Sequence, residues 1–311
     1  MITTRTSRLL LAPWLLAACD PLTISEPGLV VPRTVAENPA LPAVELNGTR
    51  LHVQTFGDAQ RPVIVFLHGG PGSGDHRSML RLRERVNGAA MDDDHFLVFW
   101  DQRGAGLSRR HPRREITIET YLADLRALVD RYSPTRPVLF VGHSWGAMYA
   151  TAFINRYPER VAGAVLMDAG PLNGALFESV RGDLADLSFR REAINDIMWS
   201  QSILSPTDHA RMDLWLTTGD RVNQPRHNQR FAPDPEPFWR FGYVAYRALD
   251  DDAQDESGRY VFDFTTALSR YRRPVLFLAG GAQRDPGGEP AGATGAPVSI
   301  GADRGHRRWR A

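Results

Sequence analysis

The sequence predicts an α/β protein built on a mostly parallel sheet flanked by helices. Three apolar runs, each the length of a buried strand, end in polar, glycine-rich loops; they span residues 63–67, 96–100 and 138–141. Between the second and third runs, residues 117–132 place apolar side chains at helical spacing, and Thr117 is a suitable N-cap. Parallel sheets of this kind gather their functional loops at the carboxyl edge, so we expect the three loops to meet there.

The third run leads into Gly142-His143-Ser144-Trp145-Gly146 and then into a helix-like stretch, residues 147–157. A G-x-S-x-G sequence between a strand and a helix is typical of a nucleophile elbow, a sharp turn that lifts the serine hydroxyl clear of the sheet. The same turn aims the N–H of Trp145, at the positive end of the helix, toward a forming oxyanion. Ser144 is therefore the candidate nucleophile.

The first run ends in a loop, residues 68–72, that reads His-Gly-Gly-Pro-Gly. Glycines allow the main chain to turn an N–H inward, which makes Gly70 the candidate for a second oxyanion donor. His143 is a poor candidate for the catalytic base, because its side chain leaves the elbow in another direction than that of Ser144. After the second run, Asp101 and Arg103 are predicted to be structural, paired with each other or with backbone groups.

The loops HGGPG, DQRGAGLS and GHSWG, in this order and spacing, resemble the prolyl aminopeptidase (proline iminopeptidase) branch of the α/β-hydrolase superfamily. The resemblance covers roughly residues 45–281. It implies an α/β-hydrolase fold with an inserted helical cap, and an acyl-enzyme mechanism with Ser144 as nucleophile and Gly70 and Trp145 as oxyanion donors. It also implies that His68 is a packing residue. No cofactor is needed, because the reaction requires only water and a positioned proton carrier.

The predicted domain organisation is a hydrolase core over residues 45–170, a helical cap over 171–260, and the rest of the core over 261–311. An aminopeptidase must bind the free ammonium of its substrate through carboxylates. Asp168 and Glu178 are the candidates for this role, and a solvated helix face is the alternative interpretation. The cap region supplies two further carboxylates as candidates for the ammonium, Glu192 and Asp196. Its aromatic residues either line an apolar pocket or form the cap's core; they are Trp199, Trp215, Phe238 and Trp239.

The carboxyl-terminal part, residues 282–311, is atypical or truncated for this family. After the strand predicted at residues 274–280, Asp285 is the nearest candidate for the triad acid, and His306 is the base by elimination. Residues 281–297 are too rich in glycine and proline to hold a helix, and the family's closing helix is absent. One hypothesis is that residues after about 281 are read out of frame, which the other two frames of the downstream DNA would test.

The amino-terminal part predicts export and anchoring. Basic residues followed by a short apolar run are typical of a signal peptide, here residues 1–18, and Leu16-Ala17-Ala18-Cys19 resembles a bacterial lipobox. That resemblance implies lipidation of Cys19 and a membrane-anchored lipoprotein of the bacterial envelope, facing the periplasm or the exterior. The alternatives are an ordinary signal peptide with an incidental cysteine, or a cytoplasmic start. Residues 19–44, which contain five prolines, are predicted to be a tether.

Composition narrows the function classes. The net charge of +1 gives no reason to expect a nucleic-acid partner, and the spacing of histidines, acids and the one cysteine predicts no metal site. The leading prediction is a serine peptidase that releases N-terminal residues, proline above all, from short peptides. The alternatives are an esterase or amide hydrolase for small acyl substrates, and a product impaired by a damaged carboxyl terminus. The oligomeric state is left open.

Overall fold

A computed structural model describes residues 31–181, 209, 212–214, 216–217 and 239–279. The described strands form one seven-stranded sheet in the order β1-β2-β4-β3-β5-β6-β7. Strands β1, β2 and β4 pair antiparallel, and all other neighbours pair parallel, which confirms the predicted fold class. The strands are β1 (Ala43–Leu46), β2 (Thr49–Phe56), β3 (Val63–Leu67), β4 (Phe96–Trp100), β5 (Val138–His143), β6 (Val161–Met167) and β7 (Val275–Leu278).

The described residues include four α-helices whose bounds are given below and a 3-10 helix at His76–Arg83; residues 212–214 and 216–217 are also helical. Two of the α-helices and the 3-10 helix cover opposite faces of the sheet. On one face α1 and α2 bury the odd-numbered side chains of β3, and on the other Met79 and the even-numbered ones form a second core. Burial on both faces explains why the central strands are continuous apolar runs. The α-helices are α1 (Ile118–Tyr132), α2 (Trp145–Arg156), α3 (Gly174–Arg181) and α4 (Tyr243–Asp252).

Local sequence signals account for the ends of several elements. The side chain of Thr117 accepts a hydrogen bond from the N–H of Thr120 at 3.1 Å, so it is the N-cap of α1, as predicted. Asn47 and Gly48 have φ of 45° and 71°, the left-handed pair that a tight hairpin between β1 and β2 requires. These elements are therefore encoded locally.

The folded unit begins before β1. Val35 is fully buried, and its N–H donates to the carbonyl of Leu107 at 2.7 Å. Glu37 forms an ion pair with Arg240 at 2.9 Å. Part of the segment predicted as a tether is thus packed against the core. The predicted signal peptide and Cys19 lie outside the described residues. Within the described ranges, none of the helices combines the length and the apolarity needed to cross a membrane.

A buried ion pair joins the loop after β4 to α1. The guanidinium of Arg103 donates to both carboxylate oxygens of Asp124, at 2.7 and 2.8 Å, and both side chains are almost fully buried. Asn47 contacts both members of the pair: its main-chain carbonyl accepts a hydrogen bond from Arg103, and its side-chain amide donates one to Asp124. Arg103 is structural, as the sequence predicted, but its partner is Asp124 and not Asp101.

Replacing Asp124 by Asn would leave the buried guanidinium of Arg103 without a counter-ion. We expect the free energy of unfolding to fall by about 3–5 kcal/mol, measured by urea denaturation. The matched control on the same helix is Asp130→Asn, which breaks ion pairs of a half-exposed carboxylate and should cost less than about 1 kcal/mol. Equal losses for the two variants would contradict this interpretation.

Candidate active site

Ser144 lies in a sharp turn between β5 and α2. Its φ and ψ are 52° and −118°, a left-handed conformation that non-glycine residues rarely adopt. The N–H of Ser144 donates to the carbonyl of Met167 at 2.9 Å, which ties the turn to the end of β6. The residue is neither buried nor fully exposed. This is the geometry of a nucleophile elbow at the carboxyl edge of a parallel sheet.

The elbow depends on a close approach of α2 to the end of β3. A Cβ atom on Gly146 would lie 1.9 Å from the carbonyl oxygen of Leu67 and 2.7 Å from that of His68. A Cβ on Gly142 would lie 2.5 Å from the carbonyl oxygen of Gly146. Only glycine fits at these two positions, which explains the G-x-S-x-G spacing in terms of contact between backbones.

The loop after β3 lies beside Ser144. Leu67 pairs with Gly142 in the β3–β5 ladder, so residues 68 and 143 start at the same level of the sheet. A Cβ on Gly69 would lie 3.5 Å from the Cβ of Ser144, whereas one on Gly70 would face its own loop, 2.8 Å from the nitrogen of Gly72. The residue adjacent to Ser144 is thus Gly69, and Gly70 follows it directly. Trp145, as the first residue of α2, has no intrahelical acceptor for its N–H.

Both ring nitrogens of His68 are hydrogen-bonded, one of them within this loop. Its Nδ1–H donates to the carbonyl of Gly69 at 2.7 Å, and its Nε2 accepts from the N–H of Gln102 at 3.1 Å. Burial lowers the pKa of His68 to about 4, so the ring is neutral at ordinary pH. With both nitrogens occupied, His68 cannot act as a proton acceptor for Ser144, in agreement with the expectation that it is a packing residue.

A second group of buried polar residues surrounds Asp101. The Nδ1 atoms of His52 and His76 donate to separate oxygens of this carboxylate at 2.8 and 2.7 Å, and the N–H groups of His76 and Leu107 donate to it as well. His52 is 1% exposed, so this histidine of β2 belongs to the buried group. Asp101 is structural, as predicted, but it pairs with these histidines and not with Arg103.

The charge state of this group follows from its contacts. Burial acts to raise the pKa of Asp101, but His76 and His52 outweigh it and hold that pKa well below its usual range. Ligand atoms of the three residues lie within 4.8 Å of one another, a set that a metal ion can use. Each Nδ1 is, however, engaged with Asp101, so the arrangement serves as a hydrogen-bonded support beneath the loop of residues 69–75.

Residues 239 and 240, in the later part of the predicted cap, are hydrogen-bonded to Asp75 at the end of the same loop. The N–H groups of Trp239 and Arg240 donate to Asp75 Oδ2 at 2.6 and 3.2 Å, and Asp75 also caps the 3-10 helix that follows the loop. The ring of Trp239 packs edge-on against His52 and His76, with centroids 5.1 and 4.8 Å apart. Trp239 therefore lies over the buried support and connects the predicted cap region to the histidines of the core.

The two predicted substrate-binding carboxylates have different surroundings. Asp168 is exposed and follows β6 directly; its N–H donates to the carbonyl of Leu278 at 2.8 Å. It is the neighbour of Met167, to which Ser144 is hydrogen-bonded. Glu178 lies on α3, and its carboxylate accepts a hydrogen bond from the N–H of Tyr260 at 3.1 Å, so it connects α3 to residue 260.

Several predicted residues lie outside the described part of the chain. Among them are the candidate triad acid Asp285, the candidate base His306 and the candidate lipidation site Cys19. Within the described part, no hydrogen bond links a histidine to the hydroxyl of Ser144. The cap residues considered for the substrate pocket that also lie outside the described part are Glu192, Asp196, Trp199, Trp215 and Phe238.

Comparison with known proteins agrees with this geometry. A family model described as "alpha/beta hydrolase fold" matches residues 62–281. The chain therefore belongs to the α/β-hydrolase fold family, a family of hydrolases. The matched range includes the elbow, both neighbouring glycine-rich loops and the predicted cap.

Several of the similar curated proteins are named proline iminopeptidases. The chain is 28% identical over 243 residues to "Proline iminopeptidase PfmaB" of Pestalotiopsis fici, which covers 76% of this chain and 80% of that protein. It is 35% identical over 120 residues to a "Proline iminopeptidase" of Xylella fastidiosa, 38% of this chain and 35% of that one. It is also 32% identical over 121 residues to "Epoxide hydrolase B" of Mycobacterium tuberculosis, covering 38% of this chain and 32% of the relative. The last two matches thus span about a third of those proteins.

Among solved structures, an epoxide hydrolase of Bacillus megaterium in complex with an inhibitor matches with a TM-score of 0.52 and 16% identity, over 77% of this chain and 92% of that one. At this identity the likeness concerns the fold alone.

Substituting Gly146 by Ala would test the close approach at the elbow. Its Cβ would meet main-chain atoms that cannot rotate away, so we expect the free energy of unfolding to fall by about 1–3 kcal/mol in urea denaturation. The control is Gly170→Ala, whose Cβ would lie 2.7 Å from the flexible thioether of Met148 and should cost less than about 1 kcal/mol. A larger loss for the control would be inconsistent with a rigid backbone contact.

The depressed pKa of His68 predicts a pH dependence of stability. The unfolded state binds a proton near the ordinary pKa of 6.5, whereas the folded state does so only near 4, so stability is lost as the pH falls from about 6.5 to about 4. His68→Gln should reduce the slope of unfolding free energy against pH in this window by up to about 1.4 kcal/mol per pH unit. His95→Gln is the control. An unchanged slope in His68→Gln would refute this account.

Proposed function

We propose that this protein is a serine hydrolase that acts through an acyl-enzyme at Ser144, and that it releases N-terminal residues, proline above all, from short peptides. One observation carries the proposal. A serine held at φ 52° between β5 and α2 lies next to the glycine loop that follows β3, the neighbourhood in which acyl transfer needs its oxyanion donors.

The identity of the nucleophile favours carbonyl substrates over epoxides. Attack of a serine hydroxyl on an acyl carbon gives an ester, which water can hydrolyse to regenerate the enzyme. Attack of the same hydroxyl on an epoxide would give an alkyl ether, which water does not cleave under mild conditions. A serine at residue 144 thus supports peptides, amides and esters as the substrate class, even though some relatives are named epoxide hydrolases.

In the proposed mechanism, His306 takes the proton of the Ser144 hydroxyl while its oxygen attacks the carbonyl carbon, and Asp285 orients the histidine. The negative oxygen of the tetrahedral intermediate is stabilised by the N–H groups of Trp145 and of the Gly69-Gly70 loop, with Gly70 as the assigned donor. The amine then leaves with the proton, and water, activated by the same histidine, hydrolyses the ester.

The exopeptidase part of the proposal rests on ammonium recognition. The free ammonium of a peptide needs a carboxylate near the nucleophile. Asp168 supports this role, because its exposed side chain follows the strand to which Ser144 is hydrogen-bonded. Glu178 is the second candidate, although its carboxylate already accepts a hydrogen bond from the main chain of Tyr260. The proline iminopeptidase relatives support the preference for proline.

We further propose that the protein is a bacterial envelope lipoprotein, anchored to a membrane through acyl chains on Cys19. The sequence Leu16-Ala17-Ala18-Cys19 behind a basic and apolar leader supports this. Metabolic labelling with an alkynyl fatty acid should tag the wild type and not Cys19→Ser. Equal labelling of both would rule out Cys19 as the lipidated residue.

Enzyme assays with matched substrates test the function. We expect turnover of a proline arylamide with a free amine, loss of at least about 1,000-fold in Ser144→Ala, and little turnover of the N-acetylated proline arylamide. Asp168→Asn should raise KM for the free-amine substrate and leave that for an aryl ester without an ammonium unchanged.

The outcomes separate the alternatives. Turnover of the aryl ester without turnover of the arylamide would replace the peptidase by an esterase. Failure of a fluorophosphonate probe to label Ser144 in folded, full-length protein would overturn the hydrolase mechanism and favour an impaired product.

A further inference from the structure

Gln102 connects the two loops of the candidate site from beneath. The residue is fully buried and directly follows Asp101 after β4. Its side-chain N–H donates to the carbonyl of His68 at 3.0 Å, and its side-chain oxygen accepts from the indole N–H of Trp145, also at 3.0 Å. Its main-chain N–H donates to Nε2 of His68 at 3.1 Å. One residue therefore contacts both the loop after β3 and the nucleophile elbow.

The chemistry of the partners allows only one orientation of the Gln102 amide. An indole N–H is a donor only, and a main-chain carbonyl is an acceptor only. If the amide were turned by 180°, its oxygen would face the His68 carbonyl and its NH₂ group would face the indole N–H, leaving four buried polar groups unpaired. The side chain thus acts as a spacer of defined length and direction between His68 and Trp145.

We propose that Gln102 is a positioning residue that sets the separation of the two oxyanion donors. This inference rests on the proposed function. His68 directly precedes the Gly69-Gly70 pair, and Trp145 carries its own N–H donor, so the bridge joins the residues next to, or bearing, the donors. The ring of Trp145 is further held by stacking on Tyr149, with centroids 6.0 Å apart.

The two residues that Gln102 joins, His68 and Trp145, are themselves held in place by other contacts, so the length of the Gln102 side chain determines their separation. His68 has both ring nitrogens engaged, and α2 contacts the end of β3 through Gly146. Gln102 adds a direct hydrogen-bonded connection between His68 and Trp145. Displacement of a catalytic group by about 1 Å can cost about 100-fold in rate, so a loosened bridge should act on the transition state more than on substrate binding.

The test uses Gln102→Met in the full-length protein. Methionine has nearly the length of glutamine and removes both side-chain hydrogen bonds, while the main-chain bond to His68 remains. The matched control is Thr151→Val on α2, a buried residue whose hydroxyl donates to the carbonyl of Ala147 at 2.9 Å and which contributes nothing to either loop. Trp145→Phe and the double variant with Gln102→Met complete a mutant cycle.

The first readout is kinetic. Active sites are counted by titration with a fluorophosphonate, and kcat per labelled site and KM are measured with an acyl substrate. We expect kcat per site to fall about 10- to 100-fold in Gln102→Met with KM nearly unchanged, and to stay within about twofold of the wild type in Thr151→Val. The effects of Gln102→Met and Trp145→Phe should not add, because each breaks the same bridge.

The second readout separates positioning from general destabilisation. A boronic acid inhibitor forms a tetrahedral adduct that uses the oxyanion donors, so its affinity should fall in parallel with kcat, whereas the affinity for the product amine should not change. Equal kcat per site in Gln102→Met and wild type, or an unchanged boronate affinity, would overturn the proposal. A wild type that neither labels nor turns over any acyl substrate would overturn the proposed function, and the role of Gln102 with it.

Discussion

The contact between the amino terminus of α2 and the carboxyl end of β3 is the constraint on which the candidate site depends. At Gly146 the helix backbone comes so close to the carbonyl of Leu67 that no side chain fits between them. This approach forces the turn at Ser144 into a left-handed conformation and brings Gly69 beside it. The strain of that turn is balanced by the hydrogen bond to Met167 and by the packing of α2 on the sheet.

Buried polar residues around this contact hydrogen-bond to the loops of the candidate site. His68 and Gln102 hold the glycine loop directly, and the carboxylate of Asp101 with its two histidines lies beneath the segment that follows. Buried polar groups of this kind are costly unless each has a partner, so a satisfied network specifies one arrangement of its loops. The loops that would carry the chemistry are thus held by hydrogen bonds to buried side chains, although they contain little regular structure.

Residues 239 and 240, within the predicted cap region, contact the same network. Trp239 packs on the two buried histidines, and Asp75 receives hydrogen bonds from the main chain of residues 239 and 240 while it caps the 3-10 helix after the glycine loop. Burial, with the negative Asp101 nearby, raises the pKa of Asp75 well above its usual range. Residues 239 and 240 therefore share the carboxylate of Asp75 with the 3-10 helix that follows the loop beside Ser144.

The sequence by itself determined the elements whose signals are local. Apolar runs marked the strands that begin at residues 63, 96 and 138, Thr117 marked the start of α1, and the G-x-S-x-G pentapeptide marked the elbow, because periodicity, capping and tight turns depend on neighbouring residues. Only the tertiary structure decided the partners of His52, Asp101 and Gln102. The bonds of Asp101 to the two histidines, and those of Gln102 to His68 and Trp145, join residues that are 25 to 49 positions apart. A polar side chain in a sequence carries no sign of whether folding will bury it against a distant partner. For the same reason the partner of Arg103 on α1 was not found, although Arg103 was correctly predicted to be structural.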